Sequence, residues 1–379
     1  MRIERIAASS VLLLAGFLAG CSGDDVVLHP GPAGTAPQTA TPAPTVTLTP
    51  ASTTPPTPLP TSSPPPPPPP PPQPSPSPTP SSKAASLYFV SDAGSNALTA
   101  YTLNTFGNAP PFRTVAGSHT GLDFPRRIAT DSAGDHFVAN AGAKSITAYV
   151  PSASGDATPF DTITGSSTGL TGVNGLGFDA SGKLYVANCG GCYLSSGGDA
   201  ILIFAANASG NAAPVASLSG ANTGVSGPST VAFDSAGNLF VSNLGATTIT
   251  KYPPGASGNV APAAVLGGNK TLIDGPECIA FDAAGAMYVC GAHQSYITVY
   301  APGASGNTAP IQTLFGTNTQ LAGPTSIAFD AAGNMYVADA NSNAVTVYPP
   351  GANGNQAPTM TVSGSNIGLN VPISIAFGS

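Results

Sequence analysis

A thirteen-residue phrase, Ile327-Ala328-Phe329-Asp330-Ala331-Ala332-Gly333-Asn334-Met335-Tyr336-Val337-Ala338-Asp339, has relatives throughout the later part of the chain. Its turn aspartate recurs at Asp131, Asp179, Asp234, Asp282 and Asp330, at spacings of 48, 55, 48 and 48, so the unit is 48 residues with one seven-residue insertion. Counting back 48 from Asp131 reaches Lys83, after which Phe89-Val90-Ser91-Asp92 matches Tyr336-Val337-Ala338-Asp339. Counting forward 48 from Asp330 reaches Gly378, preceded by Ile375-Ala376-Phe377. A fixed period of this length marks a repeat architecture in which each unit is one small sheet that buries its faces on its neighbours.

Each unit reads as four short strands. Ile-Ala-Phe is strand a, and Asp-Ala-Ala-Gly-Asn is a tight turn in which Asp supplies a side-chain hydrogen bond and Gly the positive φ. Met-Tyr-Val-Ala is strand b, and the Val-Thr-Val-Tyr type ending at Tyr348 is strand c. Pro349 to Asn355 makes the next turn, and Thr359 to Val362 is strand d. The body thus begins with strand b and ends with strand a, Pro372 to Phe377. Pairing these termini closes a ring and leaves no open edge, which predicts an all-β, six-bladed β-propeller rather than an open solenoid. Two residues before each turn aspartate stand Ala129, Gly177, Ala232, Ala280, Ala328 and Ala376, small enough to crowd an axis. Strand b carries Phe89, Phe137, Tyr185, Phe240, Tyr288 and Tyr336, and strand c carries Tyr101, Tyr149, Phe204, Tyr252, Tyr300 and Tyr348, the expected core between blades.

Three segments follow: residues 1–20, 21–82 and 83–379. Arg2 and Arg5 precede the apolar run Val11 to Leu18, too short to span a bilayer but suited to a secretory signal. Leu18-Ala19-Gly20-Cys21 resembles the lipobox of bacterial lipoproteins, which implies export and lipidation of Cys21. With Ser22 next, the resemblance favours the outer membrane of a cell with two membranes, and otherwise the outer face of the cell membrane. From about His29 to Ser82 the chain is Pro, Thr, Ser and Ala, including Pro64 to Pro72, and has almost nothing to bury. A disordered stalk with polyproline II character is expected, on the order of 100 Å long at about 3.1 Å per residue.

The repeat phrase resembles the NHL family of propeller repeats, in which a Pro, an Ile-Ala-Val-Asp-like strand, a Gly-Asn turn and a Tyr-Val-Ala-Asp strand recur. Gly378 in place of the turn Asp, Val173 in place of the usual Pro, and the scarcity of a basic residue after strand b are departures. Propellers of this type include scaffolds, ligand binders, lyases and metal-dependent lactonases, so the resemblance implies a fold more than an activity.

Lipidation of Cys21 would leave four cysteines in a compartment that permits disulfides. Cys278 lies four before Asp282 and Cys290 eight after it, which a hairpin centred between them puts directly opposite on strands a and b; a bridge is predicted. Cys189-Gly190-Gly191-Cys192 lies in the seven-residue insertion and reads as a small loop disulfide, since it opens no helix as a redox motif would.

By topology the d-to-a and b-to-c loops share one face, and it holds most of the irregular chemistry. Nine after each turn aspartate come Asp92, Asn140, Asn188, Asn243, Gly291 and Asp339, candidate oxygen ligands for Ca²⁺ or another divalent cation, or else caps of their own loops. Arg126, Arg127, Asn174 and Glu277 stand just before strand a, and His119 and His293 in loops of blades that would face one another. Charge is scarce, 7% of residues, so its gathering on one face is a hint of function, although Arg126 with Glu277 also suits a structural ion pair. No run of Lys/Arg could neutralise a series of phosphates, which argues against a nucleic-acid partner. No Ser-His-Asp order, H-E-x-x-H or P-loop is present. The leading expectation is a monomeric, membrane-tethered module, not an enzyme, that binds a protein, peptide or glycan through the loop-rich face. The rivals are a metal-dependent hydrolase or lyase of lactonase type using the Asx ring with His293 or His119, and a structural surface protein.

Overall fold

In the computed structural model the repeat phrase folds as a hairpin whose turn is built by its own aspartate. In blade 2 the Asp131 carboxylate accepts the backbone N–H groups of Ala133 and Asp135 at 2.9 Å each, and Gly134 takes a φ of 89°. The same arrangement recurs at Asp179, Asp234, Asp282 and Asp330. The structure describes residues 87–190, 198–291 and 295–378. The signal segment, Cys21, the proline-rich stretch, Cys192 and His293 lie outside the described residues.

Six four-stranded antiparallel sheets make up the described chain, a six-bladed β-propeller. Blade 2 consists of Pro125–Thr130, His136–Asn140, Ser145–Tyr149 and Asp161–Ile163, in the order a, b, c, d. Blades 3, 4, 5 and 6 repeat this order over 173–219, 228–266, 276–315 and 324–362. Blade 1 is composite: Pro372–Phe377 supplies its strand a and pairs with Leu87–Asp92, next to Ala97–Thr102 and Arg113–Val115. The last strand therefore closes the ring on the first, as the period requires. Among the described residues the one helical element is a 3-10 turn at Thr317–Thr319, and no helix is long and apolar enough to cross a membrane.

The aromatic series fill the spaces between blades. Tyr185 meets Phe233 of the next blade edge-on at 5.0 Å between ring centroids, as Phe240 meets Phe281 and Tyr288 meets Phe329 at 4.9 Å. The strand-c tyrosines have a second task. The hydroxyls of Tyr101, Tyr149, Tyr252, Tyr300 and Tyr348 each donate to a carbonyl of the loop entering their own blade, and so pin that loop from below. Phe204 fills the same place in blade 3 without that bond.

The c-to-d connection differs from the simple turn expected of it. After a tight turn it runs along the preceding blade, where one glycine pairs in parallel with the outer strand: Gly155 with Val115, Gly210 with Ile163, Gly258 with Leu218, Gly306 with Leu266, Gly354 with Leu314 and Gly107 with Val362. The Asx residue that follows clasps the neighbour's d-to-a loop. Asp156 accepts the N–H of His119, and Asn211, Asn259, Asn307, Asn355 and Asn108 accept those of Ser167, Asn222, Lys270, Asn318 and Asn366, all at 2.7–2.9 Å. Six such clasps cover outer edges that would otherwise offer unpaired backbone to another chain.

Candidate functional site

Strand a of every blade carries a register shift near its entry, between Pro228 and Thr230 in blade 4 and at the matching places elsewhere. A bulge leaves a residue out of the ladder and re-aims its side chain. The residues at this position are Arg126, Asn174, Ser229, Glu277, Thr325 and Ile373, one from each blade, and in blade 2 the irregularity takes in Arg127 as well. The polar residues singled out before strand a are thus those that the bulges release from the sheet around the axis.

Four of them meet. Arg126 Nε donates to Asn174 Oδ1 at 3.1 Å, and its guanidinium lies 3.9 Å from Glu277 Oε2. Arg127 Nη2 is 3.8 Å from the same carboxylate oxygen, which also accepts Ser229 Oγ at 3.0 Å. Arg127 reaches farther. Its Nη1 donates to the Thr325 carbonyl at 2.5 Å and the Ile373 carbonyl at 2.9 Å, and its Nη2 to the Glu277 carbonyl. One side chain of blade 2 therefore ties together strands a of blades 5, 6 and 1. The Arg126, Arg127 and Glu277 side chains are 9%, 6% and 13% exposed, so the cluster is buried, with two guanidinium groups to one carboxylate. Strands a of blades 3 and 4 also approach closely, since a Cβ on Gly175 would stand 2.5 Å from the Ser229 carbonyl.

The Asx residues at the end of strand b face their own loops. Asn140 accepts the N–H of Asp123, Asn188 those of Thr171 and Gly172, Asn243 that of Ser226, and Asp339 that of Ala322, at 2.7–3.2 Å. Asn140 and Asn243 also donate to Thr147 and Thr250 of strand c at 2.9 and 3.0 Å. Asp92 has no amide to offer, so Thr99 donates to it instead at 2.8 Å. Burial pushes the Asp92 carboxyl up to about 8, and that of Asp339 upward as well, because a charge there would be stripped of water. Gly291, at the same position in blade 5, has no side chain. Among the described residues no three His, Cys, Asp or Glu side chains gather closely enough to share a metal ion. The Asn140, Asn188 and Asn243 oxygens engage backbone N–H groups and Asp92 takes the Thr99 hydroxyl, while Asp339 Oδ1 is buried with no hydrogen-bond partner.

His119 lies apart from the arginines. It is exposed, and its Nδ1 is 2.6 Å from Asp156 in the clasp with the next blade's c-to-d connection. The bridge between Cys278 and Cys290 is present, between residues directly opposite on strands a and b. Cys189 is disulfide-bonded as well.

Sequence reasoning did not single out Ser229 or Thr325, although both occupy the register position of Arg126, Asn174 and Glu277; lining up the repeats five residues before the turn aspartate exposes them. It also passed over His136, where blades 3 to 6 have Leu or Met and blade 1 has Tyr88. His136 is buried against the Phe89 ring at 3.9 Å between centroids, and burial lowers its pKa to about 4. Two open grooves lie away from the axis. One of about 550 Å³ opens on the turn face beside Lys183, Tyr185 and Ser257. The other, about 460 Å³, opens on the loop-rich face beside Leu272, Tyr296 and Phe315.

No protein-family model matches the chain, and no curated protein matches it. Solved structures do. A streptogramin B lyase is similar at 14% identity and a TM-score of 0.52, covering 78% of this chain and 88% of that one. The periplasmic gluconolactonase of Pseudomonas aeruginosa is similar at 16% identity and a TM-score of 0.51, over 78% and 99% of the two chains. A chain of a nidogen/laminin complex is similar at 14% identity and a TM-score of 0.54, over 77% and 98%. At such identities the likeness establishes the fold alone. The chain is a six-bladed propeller.

Proposed function

We propose that this chain is an exported, lipid-anchored propeller of NHL-like type that binds a protein partner through its loop-rich face. The observation that carries the reading is the use of the axial charges. Arg126 and Arg127 are buried, Glu277 is nearly so, and together they hold all six blades to one another, while the Asx oxygens hold the loops. The centre of the face is therefore a rigid floor, and its exposed, irregular loops are left for recognition, the usual division of labour between scaffold and loops. The propeller in the nidogen/laminin complex takes part in a protein assembly on the same architecture, an analogy of fold. Cys21 and the proline-rich segment supply the anchor and the reach in this reading.

The test places a photo-crosslinking residue in the full chain, in the cell that makes it, at Asn341 or Asn370 on the loop-rich face and at Ala284 or Ala332 on the turn face, all exposed. Trapping of the same protein from both loop positions and from neither turn position is the expected result. Equal trapping from both faces, trapping from none, or a stoichiometric cation accompanied by turnover of a gluconolactone would overturn it. Cys21→Ser should release the protein from the membrane fraction and abolish its lipid mass.

A further inference from the structure

Five of the six seams between blades join an aromatic ring of strand b to the phenyl ring that ends strand a of the next blade. Phe137 meets Phe178, Tyr185 Phe233, Phe240 Phe281, Tyr288 Phe329 and Tyr336 Phe377, at 4.9–5.2 Å between centroids. The seam between blades 1 and 2 is built differently. Strand a of blade 2 ends in Thr130, so Phe89 of blade 1 has no phenyl ring to meet at that position. His136 stands in for it. Its imidazole lies 3.9 Å from the Phe89 ring between centroids, at a place that is Leu or Met in blades 3 to 6. Thr130 Oγ1 is 3.1 Å from His136 Nδ1 and 3.4 Å from the Phe377 carbonyl, so the two departures form one unit and touch the strand that closes the ring.

An imidazole can replace a phenyl ring in such a seam only while it is neutral. His136 is 1% exposed, and its Nε2 has no hydrogen-bond partner among the described residues. Protonation would make both ring nitrogens donors and place a cation in an apolar seam, with nothing there to receive the second N–H. The neighbouring polar groups do not relieve this. Asp131, at the end of strand a, favours the charge, but its carboxylate already accepts the N–H groups of Ala133 and Asp135. Arg113, on the outer strand of blade 1, opposes the charge. Tyr149, opposite on strand c, gives its hydroxyl to the Thr120 carbonyl, and Asp135 stands in the turn just before the imidazole. Burial outweighs all of these and leaves the imidazole with a pKa of about 4.

We propose that the seam between blades 1 and 2 is an acid-sensitive latch: protonation of His136 loosens its turn-face end and frees residues 375–378 of the closing strand, while the other five seams stay shut. Asp92, whose proton acts in the opposite sense, pairs with Pro372 at the far end of that strand and stays covered when the turn-face end opens. The latch concerns how the ring is held and is independent of what the loop-rich face binds. Its sign follows from the lowered folded pKa: closure is strongest above the ordinary imidazole value near 6.5 and weakens as pH falls toward about 4.

The test is hydrogen exchange of the full-length protein in detergent micelles, read by peptide mass at about pH 7.5 and about pH 5 and referenced to the unfolded chain at each pH. Opening at residues 130–136 and 375–378 should rise roughly thirtyfold between the two conditions, the ratio given by an imidazole that titrates near 6.5 when open and about 4 when closed. Residues 178–184 and 233–239, at two all-aromatic seams, should keep their protection. Thr130→Phe with His136→Leu restores the pattern of blades 3 and 4 and should remove the pH dependence. His136→Leu alone should do the same, and serves if the added ring is not accommodated. Nitrogen-15 spectra of the histidine-labelled parent should show the His136 imidazole still neutral at about pH 5.5. No rise at this seam, an equal rise at all six, a rise that persists in the variants, or an imidazole that charges near pH 6.5 with the seam still protected would each overturn the latch.

Discussion

The rim and the axis of this propeller are held by opposite strategies. At the rim one contact is copied six times: a glycine pairs with the neighbour's outer strand, and an Asx residue caps the neighbour's loop. At the axis one residue, Arg127, serves three blades at once, and no other blade has an equivalent. Repetition spreads stability over many small terms, each dispensable, whereas the single axial residue leaves buried carbonyls and a carboxylate that depend on it. The arrangement at the axis also brings three distant strands to one point, so its loss should be felt around the whole ring.

The most direct way to break this contrast is Arg127→Met, which preserves bulk but strands the Thr325 and Ile373 carbonyls and half of the pairing of Glu277, whose own carbonyl keeps the hydroxyls of Ser229 and Thr230. A loss of about 3–5 kcal/mol is expected, read as a lowered urea midpoint. Blade 5 is where the inner two strands are fastened covalently, so Cys278→Ala with Cys290→Ala should cost about 3 kcal/mol in the same assay, near what closing a loop of this length contributes. A loss above about 5 kcal/mol would show that the bond also supports the axis.

A subtler contrast separates blade 1 from blades 2 and 4 at the end of strand b, where Asp92 replaces the amide of Asn140 and Asn243. The folded Asp92 carboxyl holds its proton to about pH 8, while in the unfolded chain it ionises near 4, so the folded state binds more protons between these values and stability falls as pH rises. His136 acts the other way. Its folded pKa of about 4 lies below the unfolded value near 6.5, so the unfolded state binds more protons in that window and stability rises with pH. The two slopes offset one another from about pH 4 to 6.5, and the Asp92 slope is left alone above that. A loss of roughly 2 kcal/mol between pH 6.5 and 8 is expected, and Asp92→Asn should abolish it, as melting at a series of pH values would reveal. The smallest effect belongs to the rim: Asn259→Ala removes one clasp of six and should cost about 1 kcal/mol, with the parent's cooperativity retained. A cost like that of Arg127→Met would mean that the clasps act together.

Much of this was legible in the residues. The 48-residue period required the blades, the order of the first and last strands required the closure, and the spacing of Cys278 and Cys290 about their turn placed them face to face. Arg126, Arg127, Asn174 and Glu277 could be recognised as a group because they stand at the mouth of strand a. What they do could not be recognised. Whether they line an open site or fill it depends on bulges in six strands and on carbonyls 150, 198 and 246 residues away from Arg127. The c-to-d connection was likewise read as a turn, since its partner strand lies in another blade and leaves no local pattern.

Sequence alone determined the repeat, its turns and the ring, because each follows from side-chain alternation and turn chemistry within a few neighbouring residues. Tertiary structure alone decided that the axial charges are spent within the scaffold, that the outer strands are clasped by the next blade, and that Leu272, Tyr296 and Phe315 share one groove. Those are meetings between residues far apart in the chain, and closing the ring is what brings them together.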